Sequence, residues 1–338
     1  MSLSTKKSVF ISFVFFLNTI NSILIILCLL LSNYYLPNFS TLSFLTFFLP
    51  IFFIFNLVFL IYWILKFNLK LILPLTIILL LGYNSVSFYN LGNIKNNSDG
   101  LHVMSFNVRL FNHYKWINND YIPQEIQNFI YKQDPNILAI QEYHYDYEYI
   151  LKKYRNKHVF LTGKNVGLAI YTNNKLINKG SVEFKDSGNV AIFIDFLQNG
   201  DTLRLYNAHF ESFKVDVIGL KADVKSIKEI VFKTKNTFLA QKIQSSVLIK
   251  HMDESPYPVV LAADLNNTQY SFIYKQFQNN FNDSFRSNGN GFGSTYDFKF
   301  MPIRIDYLFN SRTINVNNFK IYSEILSDHR PISVFLDI

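Results

Sequence analysis

Acids, amides and histidines recur at the ends of apolar runs in the C-terminal two thirds of this 338-residue chain. One example is "SDHRPI" (Ser327 to Ile332), in which an acid, an imidazole and a guanidinium directly precede a closing apolar segment. The residues in such positions are Asn107, Glu142, Asn207, His209, Asp264, Asn266, Asp306, Asp328 and His329. We expect a sheet to anchor the backbone of each one while its side chain emerges at an edge, as is common for catalytic groups.

These residue types support a narrow range of chemistry. Carboxylate and amide oxygens suit Mg²⁺ or Mn²⁺ better than zinc. The single cysteine, Cys28, lies in an apolar N-terminal run, so the C-terminal part has neither a disulfide nor a thiol nucleophile. Histidines beside carboxylates can transfer protons or stabilise charge, and asparagine amides can donate to an anionic oxygen. Together these groups indicate metal-assisted hydrolysis of a phosphate ester.

Alternating strands and helices must position these side chains. "LHVMSFNVRLF", "GLAIYT", "PVVLAADLN", "RIDYLFN" and the closing "SDHRPISVFLDI" have the composition of strands. "VAIFIDFLQNGDTLRLYNAHF" predicts a hairpin that turns at Asn199-Gly200. Helices are predicted in "PQEIQNFIYKQ", from about 215 to 251 and from 271 to 278. This order favours an α/β sandwich with mixed sheets over a purely parallel doubly wound fold.

Six motifs in order resemble a known superfamily. They are "SFNVR", "QE", "YNAHFES", "AADLNN", "RIDYLF" and "SDHRPI". The series is similar to the endonuclease/exonuclease/phosphatase superfamily, which includes pancreatic deoxyribonuclease, apurinic endonucleases, neutral sphingomyelinases and inositol polyphosphate 5-phosphatases. The resemblance covers residues 101–338 and implies a four-layer α/β sandwich with two mixed β-sheets. It also implies a metal-dependent hydrolase of phosphodiester or phosphomonoester bonds.

The resemblance also implies roles for individual residues around the metal and the attacking water. Glu142 would be the principal metal ligand with Asn107 beside it, and Asp328 would complete the metal shell. Asp264 would position or deprotonate the attacking water, and Asn266 would hydrogen-bond the phosphate in the transition state.

The histidines are assigned in the same way. Asp306 would pair with His329, whose imidazole would contact the scissile phosphate or serve as a base. His209, with Asn207, would stabilise the phosphate or the leaving group. Ala263 stands where many relatives have glycine. The other histidines are expected to be surface or structural residues, namely His102, His113, His144, His158 and His251.

Residues 1–95 are almost uncharged and contain three apolar runs. These runs predict membrane helices at about 9–31, 44–65 and 71–89, although the purely apolar part of the third ends at Gly82. A cleaved signal peptide fits poorly, because the first run is too long and two more follow it. Lys6, Lys7, Lys66 and Lys70 place the N-terminus and the second loop in the cytoplasm by the positive-inside rule. Three spans then leave residues 101–338 outside the cytoplasm, and the orientation inverts if the third run does not span.

The substrate stays open at this stage. Five lysines and one aspartate precede residue 101, so the rest of the chain has 27 basic and 23 acidic residues. That small excess counts against nucleic acid binding. The loop from Arg286 to Pro302 is expected to decide the substrate, and its apolar Phe298, Phe300 and Met301, with the tethering to a bilayer, favour a lipid or head-group substrate. The hypotheses are a membrane-anchored phosphoesterase of nucleic acid, phospholipid head groups or soluble phosphoesters, an extracytoplasmic endonuclease or exonuclease, a sphingomyelinase-like phospholipid phosphodiesterase, and a non-enzymatic membrane scaffold.

Overall fold

The helices of the protein lie at the N-terminus and on the outer faces of two sheets. The computed structural model describes residues 3–92, 98–185, 187–213, 224–298 and 301–338. The helices are α1 (Leu3–Asn33), α2 (Leu49–Leu65), α3 (Ile72–Tyr83), α4 (Ile122–Gln133), α5 (Val224–Asp253), α6 (Phe272–Asn280) and α7 (Ser284–Asn288). Short 3₁₀ helices span Pro37–Phe48, Leu69–Leu71, Arg109–Asn112 and Tyr145–Leu151.

The strands follow the N-terminal helices. They are β1 (Asn90–Leu91), β2 (Leu101–Asn107), β3 (Ile137–His144), β4 (Asn156–Leu161), β5 (Val166–Thr172), β6 (Leu176–Glu183), β7 (Val190–Gln198), β8 (Asp201–His209), β9 (Val259–Asp264), β10 (Asn282–Asp283), β11 (Asn290–Gly291), β12 (Tyr296–Phe298), β13 (Met301–Ile303), β14 (Asp306–Asn310), β15 (Asn315–Ile321) and β16 (Ile332–Asp337).

Two six-stranded mixed sheets form the centre of the fold. The first sheet has the order β15-β16-β2-β3-β5-β4, and the second has the order β10-β14-β9-β8-β7-β6. Each contains one parallel pair, β2 with β3 in the first sheet and β8 with β9 in the second. The predicted hairpin is confirmed, because β7 and β8 pair across Asn199 and Gly200, which have φ angles of 52° and 103°.

The sheets pack face to face through an apolar core, and helices cover both outer faces. Val103 and Ala139 in the first sheet belong to the same buried cluster as Ile194 and Val260 in the second. On the outside of the first sheet, α4 buries one apolar stripe. Helices α5 and α6 cover the second sheet. The predicted four-layer α/β sandwich with two mixed sheets is therefore confirmed.

The N-terminal helices include two that are long and apolar enough to cross a membrane. These helical stretches are Lys6–Asn33 and Pro37–Leu65, with mean hydropathies of 2.5 and 2.6. The third apolar helix, Leu69–Tyr83, is shorter and ends six residues before the predicted boundary at Tyr89. At about 1.5 Å per residue its length falls short of a hydrocarbon core about 30 Å thick.

Candidate active site

Strand register brings three of the sequence-predicted residues to the same level of the second sheet. Asp264 ends β9, where its Cα is paired with that of His209 on β8 and with that of Asp306 on β14. Asn107 ends β2 in the first sheet, and its Nδ2 donates to Asp264 Oδ2 at 2.9 Å. This bond joins the two sheets at the edge where the polar side chains emerge.

Asp264 is the centre of the cluster. Its side chain is fully buried, and its Oδ1 accepts a hydrogen bond from the backbone N–H of Asn266 at 2.9 Å. The Nε2 atoms of His209 and His329 lie 3.5 and 3.8 Å from Asp264 Oδ2. Burying a carboxylate is costly unless it accepts hydrogen bonds and lies near positive charge, and these neighbours supply both.

Glu142 joins Asp264 from a bulge in β3, and we call the partly exposed region around Glu142, His209 and Asp264 the cleft. The register of β3 against β5 shifts between Ile140 and Tyr143, and Glu142 has a left-handed φ of 48°. Bulges re-aim side chains beside active sites. The Glu142 Oε1 atom lies 3.3 Å from Asn107 Nδ2 and 3.9 Å from His209 Nε2, while 31% of the side chain stays exposed.

His329 and Asp306 form a buried pair. His329 Nδ1 lies 3.1 and 3.0 Å from the two carboxylate oxygens of Asp306. Burial opposes a charged imidazole, but the charges of Asp306 and Asp264 outweigh it and raise the pKa of His329 to about 10. The pair therefore holds a proton on Nδ1 and turns Nε2 toward Asp264.

Asp328 lies beside this pair but is engaged by a cation. Arg109 Nη1 lies 3.2 Å from Asp328 Oδ2, and Ser327 Oγ donates to Asp328 Oδ1 at 3.1 Å. The Arg109 guanidinium also stacks over the ring of Trp116, 4.5 Å from its centroid. The role of Asp328 as a metal ligand stays a prediction.

Asn207 does not reach the cleft. Its Nδ2 donates to the backbone carbonyls of Ile140 and Ala169 at 2.8 and 2.9 Å, and its Oδ1 accepts from Gln141 Nε2 at 2.7 Å. Residues two apart share a face of a strand, so Asn207 points into the space between the sheets one level deeper than His209. These bonds use both amide hydrogens, which leaves none to stabilise a phosphate as the sequence analysis expected.

Asn266 lies at the turn after β9. It has a left-handed φ of 48°, and its Nδ2 donates to the carbonyl of Phe210 at 3.0 Å. Asparagine tolerates this conformation better than most residues. One bond uses one of the two amide hydrogens, so the side chain retains a donor for an anionic oxygen.

Two cleft residues were missed by the sequence analysis. Arg109 was part of the quoted motif "SFNVR" but received no role. Tyr296 lies in the loop that the sequence analysis could not interpret, and its ring centroid is 4.9 Å from that of His329. Burial raises the pKa of Tyr296, as does the charge of Asp328, while Arg109 opposes the shift. No sequence signal identifies this tyrosine, because its position depends on the fold of the loop.

A second group of potential ligands lies outside the cleft residues just described. Ligand atoms of His113, His144 and Asp146 lie within 4.8 Å of one another. The two imidazole rings stack with centroids 4.2 Å apart. Burial of His144 and the neighbouring charge of His113 both lower the pKa of His144. The sequence analysis treated both histidines as surface or structural residues.

Comparisons with known families match both parts of the chain. A model of the "Endonuclease/Exonuclease/phosphatase family" matches residues 104–329. A second model, described as a "Domain of unknown function (DUF8431)", matches residues 11–89. A search of curated proteins found no match.

Several solved structures share the fold of the C-terminal part. An endonuclease/exonuclease/phosphatase from Bacteroides vulgatus is 18% identical with a TM-score of 0.56, over 70% of this chain and 98% of that one. A mannosyl-6-phosphatase from Bacteroides thetaiotaomicron is 18% identical with a TM-score of 0.52, over 71% and 100%. The human Nocturnin catalytic domain, with a bound sulfate anion, is 15% identical with a TM-score of 0.53, over 70% and 93%. At these identities the likeness is one of fold.

Proposed function

Because the chain belongs to the endonuclease/exonuclease/phosphatase family, it is a hydrolase of phosphoester bonds, and we propose that it is a membrane-anchored enzyme that depends on Mg²⁺. The observation that carries this proposal is the convergence of Asn107, Glu142, His209 and His329 on the buried carboxylate of Asp264. Four separate strands and the segment before β16 supply these groups, and they meet in one cleft.

The donor set fits a hard divalent cation. Glu142 offers a partly exposed carboxylate with Asn107 beside it, and these are oxygen-bearing side chains of the kind that Mg²⁺ prefers. The only cysteine, Cys28, lies in α1. Glu142 and Asn107 would hold the ion, with Asp328 as a further predicted ligand. Bound Mg²⁺ would polarise the phosphate and neutralise its charge.

The side chains of the cleft have separable roles in the proposed reaction. Asp264 accepts a proton from, or orients, the attacking water, because its buried carboxylate lies within 4 Å of the Nε2 atoms of both imidazoles. His329 presents Nε2–H to the phosphate, because its raised pKa keeps a proton on both ring nitrogens while Asp306 accepts from Nδ1. His209 and the remaining amide hydrogen of Asn266 stabilise charge on the phosphate or on the leaving group.

The substrate is a phosphate ester, and a direct assay will identify the alcohol group that the ester carries. The apolar side chains of the loop from Arg286 to Pro302 were expected to favour lipid. Met301 is partly buried instead and packs against the apolar cluster that contains Phe47 of the N-terminal region and Ile303. Phe300 and the side chain of Phe298 lie outside the described residues.

A substrate panel tests the enzymatic proposal. The full chain in neutral detergent is incubated with Mg²⁺ and with plasmid DNA, sphingomyelin, phosphoinositides, a sugar phosphate or p-nitrophenyl phosphate. We expect at least one substrate to be hydrolysed and EDTA to abolish its hydrolysis. Asp264→Asn should lower kcat by about 10²- to 10⁴-fold, the usual contribution of a general base. Asp253→Asn, which changes an exposed acid on α5, is the matched control.

No turnover of any substrate by the parent, or equal rates for Asp264→Asn and the parent, would contradict the catalytic proposal. Hydrolysis that persists in EDTA would contradict the metal dependence alone. Cleavage of plasmid DNA alone would identify the nuclease alternative. Divalent-ion binding without turnover would favour the scaffold.

The membrane orientation rests on contacts between the ends of the N-terminal helices. Asn33 Nδ2, at the end of α1, donates to Asn84 Oδ1 after α3 at 3.1 Å. At the opposite end, the Lys70 ammonium lies 4.7 Å from the centroid of Phe15 in the first half of α1. Lysines 6, 7, 66 and 70 therefore lie on the side away from the catalytic domain.

We accordingly propose that the lysine-rich side faces the cytoplasm and that the catalytic domain lies outside it. This proposal requires that α3 brings the chain back to the C-terminal end of α1, as the contact between Asn33 and Asn84 indicates. It does not require α3 to match the full thickness of a bilayer. Fusing alkaline phosphatase or green fluorescent protein to the C-terminus tests it. Phosphatase activity is expected, and a fluorescent fusion without phosphatase activity would place the domain in the cytoplasm.

A further inference from the structure

A polar crevice lies where the N-terminal helices meet the catalytic domain. It lies between the ends of α1 and α3, the start of α6 and the segment around α7, and it is partly open to solvent. Three cationic side chains line it, namely Lys275, Arg286 and Arg304. None of the described residues that line it is acidic.

One of the three cations is already neutralised. Arg304 makes a two-pronged contact with Asp283, at 3.0 and 2.7 Å from Nη1 and Nη2 to the two carboxylate oxygens. Both side chains of this pair are almost completely buried. Arg304 therefore forms part of the crevice wall, and the positive charges of Lys275 and Arg286 are the ones that an anion could neutralise.

Lys275 and Arg286 are held by carbonyl groups. Lys275 Nζ donates to the backbone carbonyl of Asn84 at 3.2 Å, and Arg286 Nη1 donates to that of Ser85 at 3.1 Å. These bonds help to satisfy the C-terminal end of α3. An ammonium has three N–H donors and a guanidinium has five, so one such bond leaves most donors of each cation available.

The charge balance favours an anion between the two cations. The C-terminal ends of α1 and α3 each carry a partial charge of about −0.5, whereas Lys275 and Arg286 carry a full positive charge each. A surplus of about one positive charge therefore remains in a partly buried crevice. Burial lowers the pKa of Lys275, and the neighbouring charge of Arg286 lowers it further. The negative charge of a bound anion would oppose this shift and offset the repulsion between the two cations.

We propose that this crevice binds a phosphate group, with Lys275 and Arg286 as its charged ligands. Hydroxyl and amide side chains such as Ser87 and Gln278 line the same space and can hydrogen-bond phosphate oxygens. Leu29, Val86 and Phe88 form its apolar side next to the N-terminal helices. The bound group is the head group of an anionic lipid or a free phosphate, and the site is separate from the catalytic cleft.

The test compares four forms of the full chain. Beside the parent, the double variant Lys275→Gln/Arg286→Gln removes both charges but keeps an amide donor for each carbonyl. The control Arg155→Gln/Lys250→Gln removes two charges from exposed positions on the catalytic domain. The variant Lys275→Arg keeps the charge of the crevice. Circular dichroism of each form checks that it folds.

Two arms separate the sources of the phosphate. In the lipid arm, each form is placed in nanodiscs of phosphatidylcholine with or without phosphatidylglycerol, and native mass spectrometry counts the phosphatidylglycerol that stays bound. In the soluble arm, inorganic phosphate is titrated into each form in neutral detergent while the melting temperature is recorded. The parent, the control and Lys275→Arg should bind in at least one arm, and the double variant should bind at least about tenfold more weakly.

A response in the lipid arm alone identifies a head group, and a response in the soluble arm alone identifies a free anion. The proposal is overturned if the parent responds in neither arm, or if the folded double variant responds as the parent does. In the second case the cations only cap α3. Loss of binding in Lys275→Arg, with its charge retained, would also contradict the charge argument.

Discussion

Replacing Asn207 with alanine should destabilise the protein without removing a catalytic group. The Asn207 side chain is completely buried between the sheets, where it satisfies the carbonyls of Ile140 and Ala169 and accepts from Gln141. Each buried polar group that loses its only partner costs about 1–3 kcal/mol. Gln141 Nε2 keeps a bond to Ser105 Oγ, so we count the two carbonyls and the lost volume.

We therefore expect the free energy of unfolding to fall by about 2–6 kcal/mol for the two carbonyls, and the lost volume adds to this fall. Whole domains are stable by only about 5–15 kcal/mol, so this is a large fraction of the total. The assay is urea unfolding of the full chain in neutral detergent, followed by the fluorescence of Trp116 in a Trp63→Phe background. Asn280→Ala removes an exposed asparagine on α6 and should change stability by less than about 0.5 kcal/mol.

The same variants are assayed for hydrolysis at low temperature, and kcat is expressed per folded molecule. If Asn207 has only a structural role, the folded fraction of Asn207→Ala should have a kcat within a few fold of that of the parent. Parent-like unfolding combined with a kcat about a hundredfold lower would refute the structural assignment. Asn207 would then act on the phosphate beside His209, as the resemblance implied.

Three further substitutions test other parts of the structure. Asp306→Asn should lower kcat by about 10²- to 10⁴-fold with little change in KM, because it no longer holds the His329 proton on Nδ1; equal kcat values would contradict the pairing. Glu142→Gln should raise the Mg²⁺ concentration that gives half-maximal rate at least about tenfold, and an unchanged Mg²⁺ titration would exclude it as a ligand. Burial, and to a lesser extent the charge of Lys320, lowers the pKa of His102 to about 4. Between pH 6.5 and pH 4 this histidine is therefore protonated in the unfolded state and neutral in the folded state. Stability should fall by about 3 kcal/mol between pH 6.5 and 4, and His102→Phe, which keeps the stacking on Phe335, should flatten this dependence in urea titrations; identical slopes would contradict it.

The elements of the catalytic domain follow from local sequence patterns. The hairpin of β7 and β8 was predictable because Asn199 and Gly200 tolerate positive φ angles between two apolar runs. The strands that carry Asp264 and Asp306 were predictable because apolar residues precede or follow each acid. The motif order then indicated that these strands meet, which the pairing of Asp264 with Asp306 bears out at the level of the backbone.

The departures have physical reasons that local sequence does not encode. Whether Asn207 faces substrate or carbonyl groups depends on how the two sheets pack face to face, because the carbonyls that it contacts belong to the first sheet. Tyr296 reaches His329 through the fold of a glycine-rich loop, and Arg109 reaches Asp328 from a left-handed turn with a φ of 43°. Such positions depend on contacts between distant segments of the chain.

The N-terminal region packs against the segment that precedes β14, and this contact affects how the enzyme should be assayed. Phe47 of the 3₁₀ segment packs with Ile303 and Ile305, and Ile305 directly precedes Asp306, the partner of His329. Removing residues 1–95 would expose these apolar side chains to water and loosen the strand that holds His329. The junction is also tight, because a Cβ on Gly92 would lie 2.2 Å from the carbonyl oxygen of Gly289. Because the N-terminal region packs against the segment that leads into β14, substrate preference should be measured on the full chain and not on the isolated C-terminal part.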